Sequence, residues 1–399
     1  MATFEEVFEK ACVEKEIPGA VLVATDKTGS FKYAKAFGSR SLGEPEEPLA
    51  LDTMMWTASC TKLQTSIACL QCIEKGLFTL DDDVTKWLHE FRDSEIITGF
   101  EDGKPQMKKA TKAMTLRHLL THSSGLAYDV FDPKLMAWRA SRGEKLSRGK
   151  TIPDKYTLPL LYEPGEWWSY SVGIDWAGKL LERALNNGQS LGDYLNEHVW
   201  KPLGINSMTF HLRDRPDLQE RMAVMSQRSP ETGKAVHSGE DLMGEVVDDF
   251  GGAGCYCCAP EYLKILQSIL ANDGKLLKPE TVTDIMFQPH LSKKSQAGLM
   301  KTTADPAWQN ALGGLPVDAG KDWGIGGLLT LADLPGTRKS GTMTWGGLPN
   351  LTWFIDPTSG LCGLTAMQMT PPGDAKAVEL IHVYERGLYA KYQNFKPQL

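Results

Sequence analysis

The chain has 399 residues, 42% hydrophobic and 23% charged, with a formal net charge of −7 at pH 7. That length exceeds one simple core and predicts two domains, and the negative balance argues against nucleic acid or an anionic membrane as partner. No stretch approaches the roughly 18–20 apolar residues of a membrane span, the acidic Met1-Ala2-Thr3-Phe4-Glu5-Glu6 lacks the form of a secretion signal, and Lys396-Pro397-Gln398-Leu399 carries no prenylation motif. A cytoplasmic protein with eight free thiols is therefore expected.

From the N-terminus, Phe4, Val7, Ala11 and Val13 give residues 4–16 helical spacing. Ala20-Val21-Leu22-Val23-Ala24, the turn residues 26–30 and the alternating run from Phe31 to Phe37 predict an antiparallel hairpin. Residues 60–90, 115–122, 173–187, 190–203, 261–272 and 280–286 have helical character, while 100–114 and 140–155 are polar and basic and predict surface loops. Short strands follow at 341–345, 351–355 and 361–369, punctuated by Pro349-Asn350 and residues 356–360. An amphipathic segment from Asp374 to Phe395 closes the chain.

Strands at both ends with helices between them predict an α+β fold, an antiparallel β-sheet flanked by helices with an inserted, mostly α-helical domain. Residues 1–70 and 250–399 would build the α/β domain and 71–249 the helical one, with the active site in the cleft between them.

The chemistry is concentrated at Ser59-Cys60-Thr61-Lys62, which opens a segment with Leu63, Ile67 and Leu70 on one helical face. Residues three apart on a helix are neighbours, so the Lys62 amine can reach the Ser59 hydroxyl. A serine is a weak nucleophile until a base within hydrogen-bond reach takes its proton. The free N–H groups at a helix start favour negative charge developing there. A second element, Pro164-Gly165-Glu166-Trp167-Trp168-Ser169-Tyr170, places a tyrosine ahead of a helix starting near Ile174, where its phenol could share a proton with Ser59 and Lys62. A third, Thr344-Trp345-Gly346-Gly347-Leu348-Pro349-Asn350, ends a predicted strand. Paired glycines allow a close backbone approach, and a strand edge there could offer an N–H to an oxyanion beside that of Ser59.

Metal chemistry finds little support. His118 and His122 lack the glutamate of a H-E-x-x-H site, Cys69-x-x-Cys72 falls inside the predicted helix, and Cys255-Tyr256-Cys257-Cys258 has no matching Cys/His pair. No G-x-S-x-G elbow, phosphate loop or dinucleotide fingerprint occurs. No cofactor is expected.

Taken in order, Ser59-x-x-Lys62, Tyr170 and the small-residue strand motif resemble the serine β-lactamase and penicillin-binding-protein superfamily. Thr115-Leu116-Arg117-His118-Leu119-Leu120-Thr121-His122-Ser123-Ser124-Gly125-Leu126 and residues 77–84 resemble further stretches of it. The β-lactamase/transpeptidase fold is what this likeness implies. Two departures matter. Tyr170-Ser171-Val172 lacks the asparagine that β-lactamases place two after the tyrosine, and Trp345-Gly346-Gly347 replaces K-T-G, removing a cation that holds a substrate carboxylate. The Trp-Gly-Gly form resembles family VIII carboxylesterases and implies an uncharged, apolar acyl group. Ile17-Pro18-Gly19-Ala20-Val21, Asp175-Trp176-Ala177-Gly178-Lys179-Leu180, Phe250-Gly251-Gly252-Ala253-Gly254 and Gly346-Gly347-Leu348-Pro349-Asn350 resemble the fungal statin-pathway acyltransferases and statin esterases.

That likeness implies hydrolysis of the short branched acyl side-chain ester of a statin-type polyketide (lovastatin to monacolin J) through a Ser59 acyl-enzyme. Its alternatives are acyl transfer from a thioester or ester donor to a polyketide alcohol and, as a minor one, β-lactamase-like hydrolysis. It implies Ser59, Lys62 and Tyr170 as catalytic residues, the N–H groups of Ser59 and Leu348 as oxyanion hole, and Tyr128, Trp168, Trp345, Gly346 and Gly347 against substrate. The partner is then a small-molecule ester, with carrier-protein docking only in the transfer alternative. A non-catalytic scaffold would be expected to have lost Ser59 or Lys62.

Overall fold

The computed structural model describes residues 2–43, 45–312 and 314–395. Met1 and the Lys396–Leu399 segment, on which two of the expectations above bear, lie outside the described residues. The strand Gly19–Asp26 is buried along its whole length, because its alternation feeds two cores. Ala20, Leu22 and Ala24 pack with Phe4, Phe8, Tyr384 and Leu388 on one face. Val21 and Val23 join the main core on the other. A strand covered on both faces reads as a continuous apolar run, which is what residues 20–24 are.

This strand pairs with Lys32–Ser41 on one side, Ala24 opposite Tyr33, and with Leu361–Ala366 on the other, Val23 opposite Leu364. The two ends of the chain thus build one antiparallel sheet. Its eight strands run in the order Lys321–Trp323, Leu328–Thr330, Met343–Gly347, Leu351–Asp356, Leu361–Ala366, Gly19–Asp26, Lys32–Ser41, Glu47–Pro48. Helices Phe4–Val13 and Ala375–Gln393 cover one face. On Phe4–Val13 the apolar face is Phe4, Phe8 and Ala11, and the Val13 expected on it is exposed. Helix Ala259–Ala271 packs on the other face of the sheet.

Helix Thr61–Glu74 lies against Gly173–Leu185 and is buried all round, from Thr61 to Cys72. Each of its buried polar side chains accordingly makes at least one bond, while Gln64 Nε2 and Gln71 Oε1 have no partner. Gln64 Oε1 accepts from Trp200 Nε1 at 2.7 Å, Thr65 donates to the Gly251 carbonyl at 2.8 Å, and Gln71 donates to the Leu276 carbonyl at 2.8 Å. The helix stops well short of residue 90. Gly76 adopts φ 74°, and the Leu77 N–H returns to the Cys72 carbonyl, closing the last turn. Side chains of the sheet and of the segment 71–249 share one core, in which Val21, Ile67, Trp176 and Leu180 belong to a single cluster.

Several stretches differ from their sequence reading. Residues 110–114 are a loop as read, but 100–109 are not. Lys104–Lys109 pairs with Glu95–Glu101 as a hairpin whose exposed face explains its basic composition. Within 140–155 lies the start of helix Ile152–Tyr156. Strands Lys321–Trp323 and Leu328–Thr330, three residues each, are too short to carry a period. Tyr256–Cys257 is a short strand that bridges Met55–Trp56 and Met208–Thr209. All eight cysteines are free, and no described helix is long and apolar enough to cross a membrane.

Candidate active site

The turn that presents Ser59 is a 3-10 segment, Ala58–Cys60, set immediately before helix Thr61–Glu74. Ala58 holds φ 44°, a left-handed conformation that costs a non-glycine residue roughly 1–2 kcal/mol. Such strain persists where surrounding structure over-determines it, and here the turn is pinned from two sides. Thr57 donates its N–H and hydroxyl to the Cys255 carbonyl at 2.9 and 2.7 Å. Cys255 in turn donates its N–H to Thr61 Oγ1 at 3.1 Å.

Four side chains converge there. Lys62 Nζ donates to Ser59 Oγ at 3.2 Å, to Tyr128 Oη at 3.1 Å and to the Gly252 carbonyl at 2.6 Å. The Tyr170 hydroxyl donates to Ser59 Oγ at 2.6 Å and accepts from Trp345 Nε1 at 3.3 Å. Lys62 Nζ also lies 4.7 Å from the centroid of the Tyr170 ring, a cation–π distance. Lys62 is 1% exposed, so its amine meets these partners in a water-poor setting. Burial pushes the Tyr128 phenol well above its usual range, leaving it a neutral acceptor and donor. Beyond the lone position of a pocket wall, Tyr128 is therefore a direct partner of Lys62.

Tyr170 is braced from behind by His122, whose ring is 4.8 Å away. His122 Nδ1 accepts the Ser171 N–H at 3.2 Å and lies 3.0 Å from its hydroxyl. Burial first, then the Lys62 charge, holds that imidazole neutral, well below its ordinary pKa. His118 instead closes the capping box of its own helix with Thr115.

Ser59 opens onto a cleft of about 410 Å³ whose walls include Trp56, Tyr128, Phe131, Trp308, Trp345 and Leu348. Gly346 and Gly347 line it as well. A side chain on Gly347 would overlap the Thr57 carbonyl oxygen and press on Cys60 Sγ, and one on Gly346 would overlap the Leu351 carbonyl. The paired glycines thus let the strand Met343–Gly347 seat against the Ser59 turn. Gly347→Ala is expected to destabilise the protein by about 1–3 kcal/mol, the usual cost of overpacking, which a urea melt would read directly.

Trp168 does not reach the cleft. It is fully buried and packs against Trp308 and Trp323, so its predicted place against substrate is corrected to the core behind the site. A Pro-Gly turn leading into two tryptophans does not reveal which ring faces inward. Sequence reasoning also missed Lys155, which lines the same cleft and is 8% exposed. Burial lowers its pKa, opposed by Asp175 and then Asp129. Among the described residues it makes no ion pair, and its ammonium lies 5.1 Å from the Phe250 ring. Nothing in a basic, aperiodic stretch marks one lysine as buried.

The family model described as Beta-lactamase matches residues 4–385. The chain is 37% identical over 397 residues to the monacolin J acid methylbutanoyltransferase of Aspergillus terreus, covering 98% of this chain and 95% of that one. It is 38% identical over 402 residues to the lovastatin esterase of Penicillium rubens, covering 99% of this chain and all of that one. A mutant of simvastatin synthase from Aspergillus terreus superposes with a TM-score of 0.91 at 38% identity, covering 98% of this chain and 95% of that one. The match along nearly the whole chain, together with the antiparallel sheet and flanking helices, establishes that this protein belongs to the β-lactamase family and is an enzyme acting on esters.

Proposed function

We propose that the protein is a serine carboxylesterase that removes the short branched acyl side chain from a statin-type polyketide ester, lovastatin to monacolin J, through an acyl-enzyme on Ser59. The observation that carries this reading is the convergence of Lys62 Nζ and the Tyr170 hydroxyl on Ser59 Oγ at an apolar cleft. Ser59 Oγ attacks the ester carbonyl while Lys62, in its unprotonated form and assisted by Tyr170, accepts its proton and becomes an ammonium. The N–H groups of Ser59 and Leu348 receive the developing oxyanion; one such donor is worth about 10²–10³ in rate. Tyr170 or Lys62 returns the proton to the departing alcohol, and water attacks the acyl-enzyme to release the acid. The eight free thiols accord with a cytoplasmic location.

The loss of the K-T-G cation implies an uncharged, apolar acyl group. Lys155 adds to that expectation: a cation waits in the cleft for a carboxylate elsewhere on the substrate. The name of one relative, monacolin J acid methylbutanoyltransferase, fits a substrate of that kind. Lys155→Met is expected to raise KM for a statin acid about 10- to 100-fold, the value of one charge-assisted hydrogen bond. The effect on p-nitrophenyl butyrate at pH 8 should be far smaller.

A second reading is transfer of the acyl group from a thioester or ester donor to a polyketide alcohol, and docking of a carrier protein would belong to that reading alone. It is supported by the transferase names among the relatives. Product analysis with a statin bearing a methylbutyryl ester separates the two. Free methylbutyric acid and de-acylated statin, formed at catalytic rates in water alone, are expected. An acyl-enzyme that persists until an alcohol is added would make the protein a transferase. Turnover of p-nitrophenyl butyrate without the statin would remove the polyketide assignment.

A further inference from the structure

On the far side of Lys62 from Ser59 lies a buried acid. Asp175 stands in the first turn of helix Gly173–Leu185 and is fully buried. Its Oδ1 accepts the Gly252 N–H at 2.8 Å, and the carbonyl of Gly252 accepts Lys62 Nζ at 2.6 Å. One residue therefore couples the carboxylate to the amine. The coupling is tight, since a side chain on Gly252 would overlap the Asp175 carboxylate. Oδ2 of Asp175 has no hydrogen-bond partner. A buried ionised carboxylate with a bare oxygen is costly unless cations face it.

The groups that face Asp175 are the cations Lys62 and Lys155 and the phenols Tyr128 and Tyr156. Asp129 acts on Lys155 and Tyr156 from the next layer. His122, neutral, faces Lys62 from the other side. We infer that Asp175 is a positioning residue for acylation: through Gly252 it holds the Lys62 amine against Ser59 Oγ and supplies the buried negative charge opposite it. This inference rests on the Ser59 acyl-enzyme reading.

Burial pushes the Asp175 carboxyl up to about 6, with the Lys62 charge opposing. As pH falls through that value the carboxylate gains a proton, its charge is lost, and acylation slows. The test is the pH profile of the acylation burst with p-nitrophenyl butyrate, a neutral ester. Asp175→Asn keeps the shape and the bond from Gly252 but removes the charge. Its acylation rate at pH 7.5 should fall about 10- to 100-fold, within the range for a positioned acid–base group, and the acid limb near pH 6 should vanish. Lys155→Met removes one of the two cations facing Asp175, so its acid limb should move to higher pH. An Asp175→Asn protein that acylates Ser59 at the parent rate with the parent limb overturns the inference while leaving the Ser59 reading intact. Should that variant fail to fold, an unmoved limb in Lys155→Met overturns it alone. Loss of the Ser59 reading itself would show separately, as unchanged burst in Ser59→Ala.

Discussion

Ser59→Ala is expected to abolish ester turnover, on the order of 10⁶-fold in kcat, as removal of a nucleophile from a serine enzyme does. The same variant should show no acyl adduct by intact-protein mass, where the parent gains one acyl group. The fold should survive, because Ser59 is partly exposed at the cleft and its Oγ bonds only Lys62 and Tyr170. Without that hydroxyl, Lys62 still donates to Tyr128 and to the Gly252 carbonyl, and the Tyr170 hydroxyl that loses its acceptor lies at the open cleft. Thermal unfolding of the two proteins should therefore coincide within a few degrees. A Ser59→Ala protein with parent turnover would place the chemistry elsewhere and end the acyl-enzyme mechanism.

The second large effect is expected at Lys62 and Tyr170. Lys62→Met and Tyr170→Phe should each lower kcat/KM by about 10²–10⁴, the range for a positioned proton-transfer group. Because both side chains act on the same oxygen, the double variant should lose little more than the worse single one; groups that work as a unit are non-additive. Stability should fall as well at Lys62. Removing one partner from a buried set of charges leaves the rest uncompensated, and Lys62 donates to Tyr128 and to the Gly252 carbonyl and faces Asp175. Lys62→Met is thus expected to melt below the parent temperature while losing its rate. Additive losses in the double variant would assign the two groups to separate steps.

Much of the site was legible from sequence because it is local. Ser59 and Lys62 are three residues apart on a helical path, so any helix there brings the amine toward the hydroxyl. The sheet was legible at its ends for a related reason. Residues 20–24 and 361–366 are apolar runs whose only physical use is burial, and two such runs at opposite ends of a chain pair most simply with each other. The hairpin at 95–109 escaped notice because Lys104–Lys109 is mostly polar and exposed, with only Pro105 and Met107 half-buried between its exposed residues.

What the sequence determined by itself is the Ser59 hydroxyl with its neighbouring Lys62 amine, the tyrosine that joins them, and the antiparallel sheet built from both ends of the chain. These follow from short-range spacing and from apolar patterns that have one way to be buried. Tertiary structure alone decided that Trp168 belongs to the core, that Tyr128 bonds Lys62, and that Lys155 and Asp175 are drawn in around it. The partners of Lys62 stand 66 and 190 residues away at Tyr128 and Gly252. Contacts at such separations depend on how helices Thr61–Glu74 and Gly173–Leu185 pack, and no local period encodes the side of that packing on which a given polar group falls.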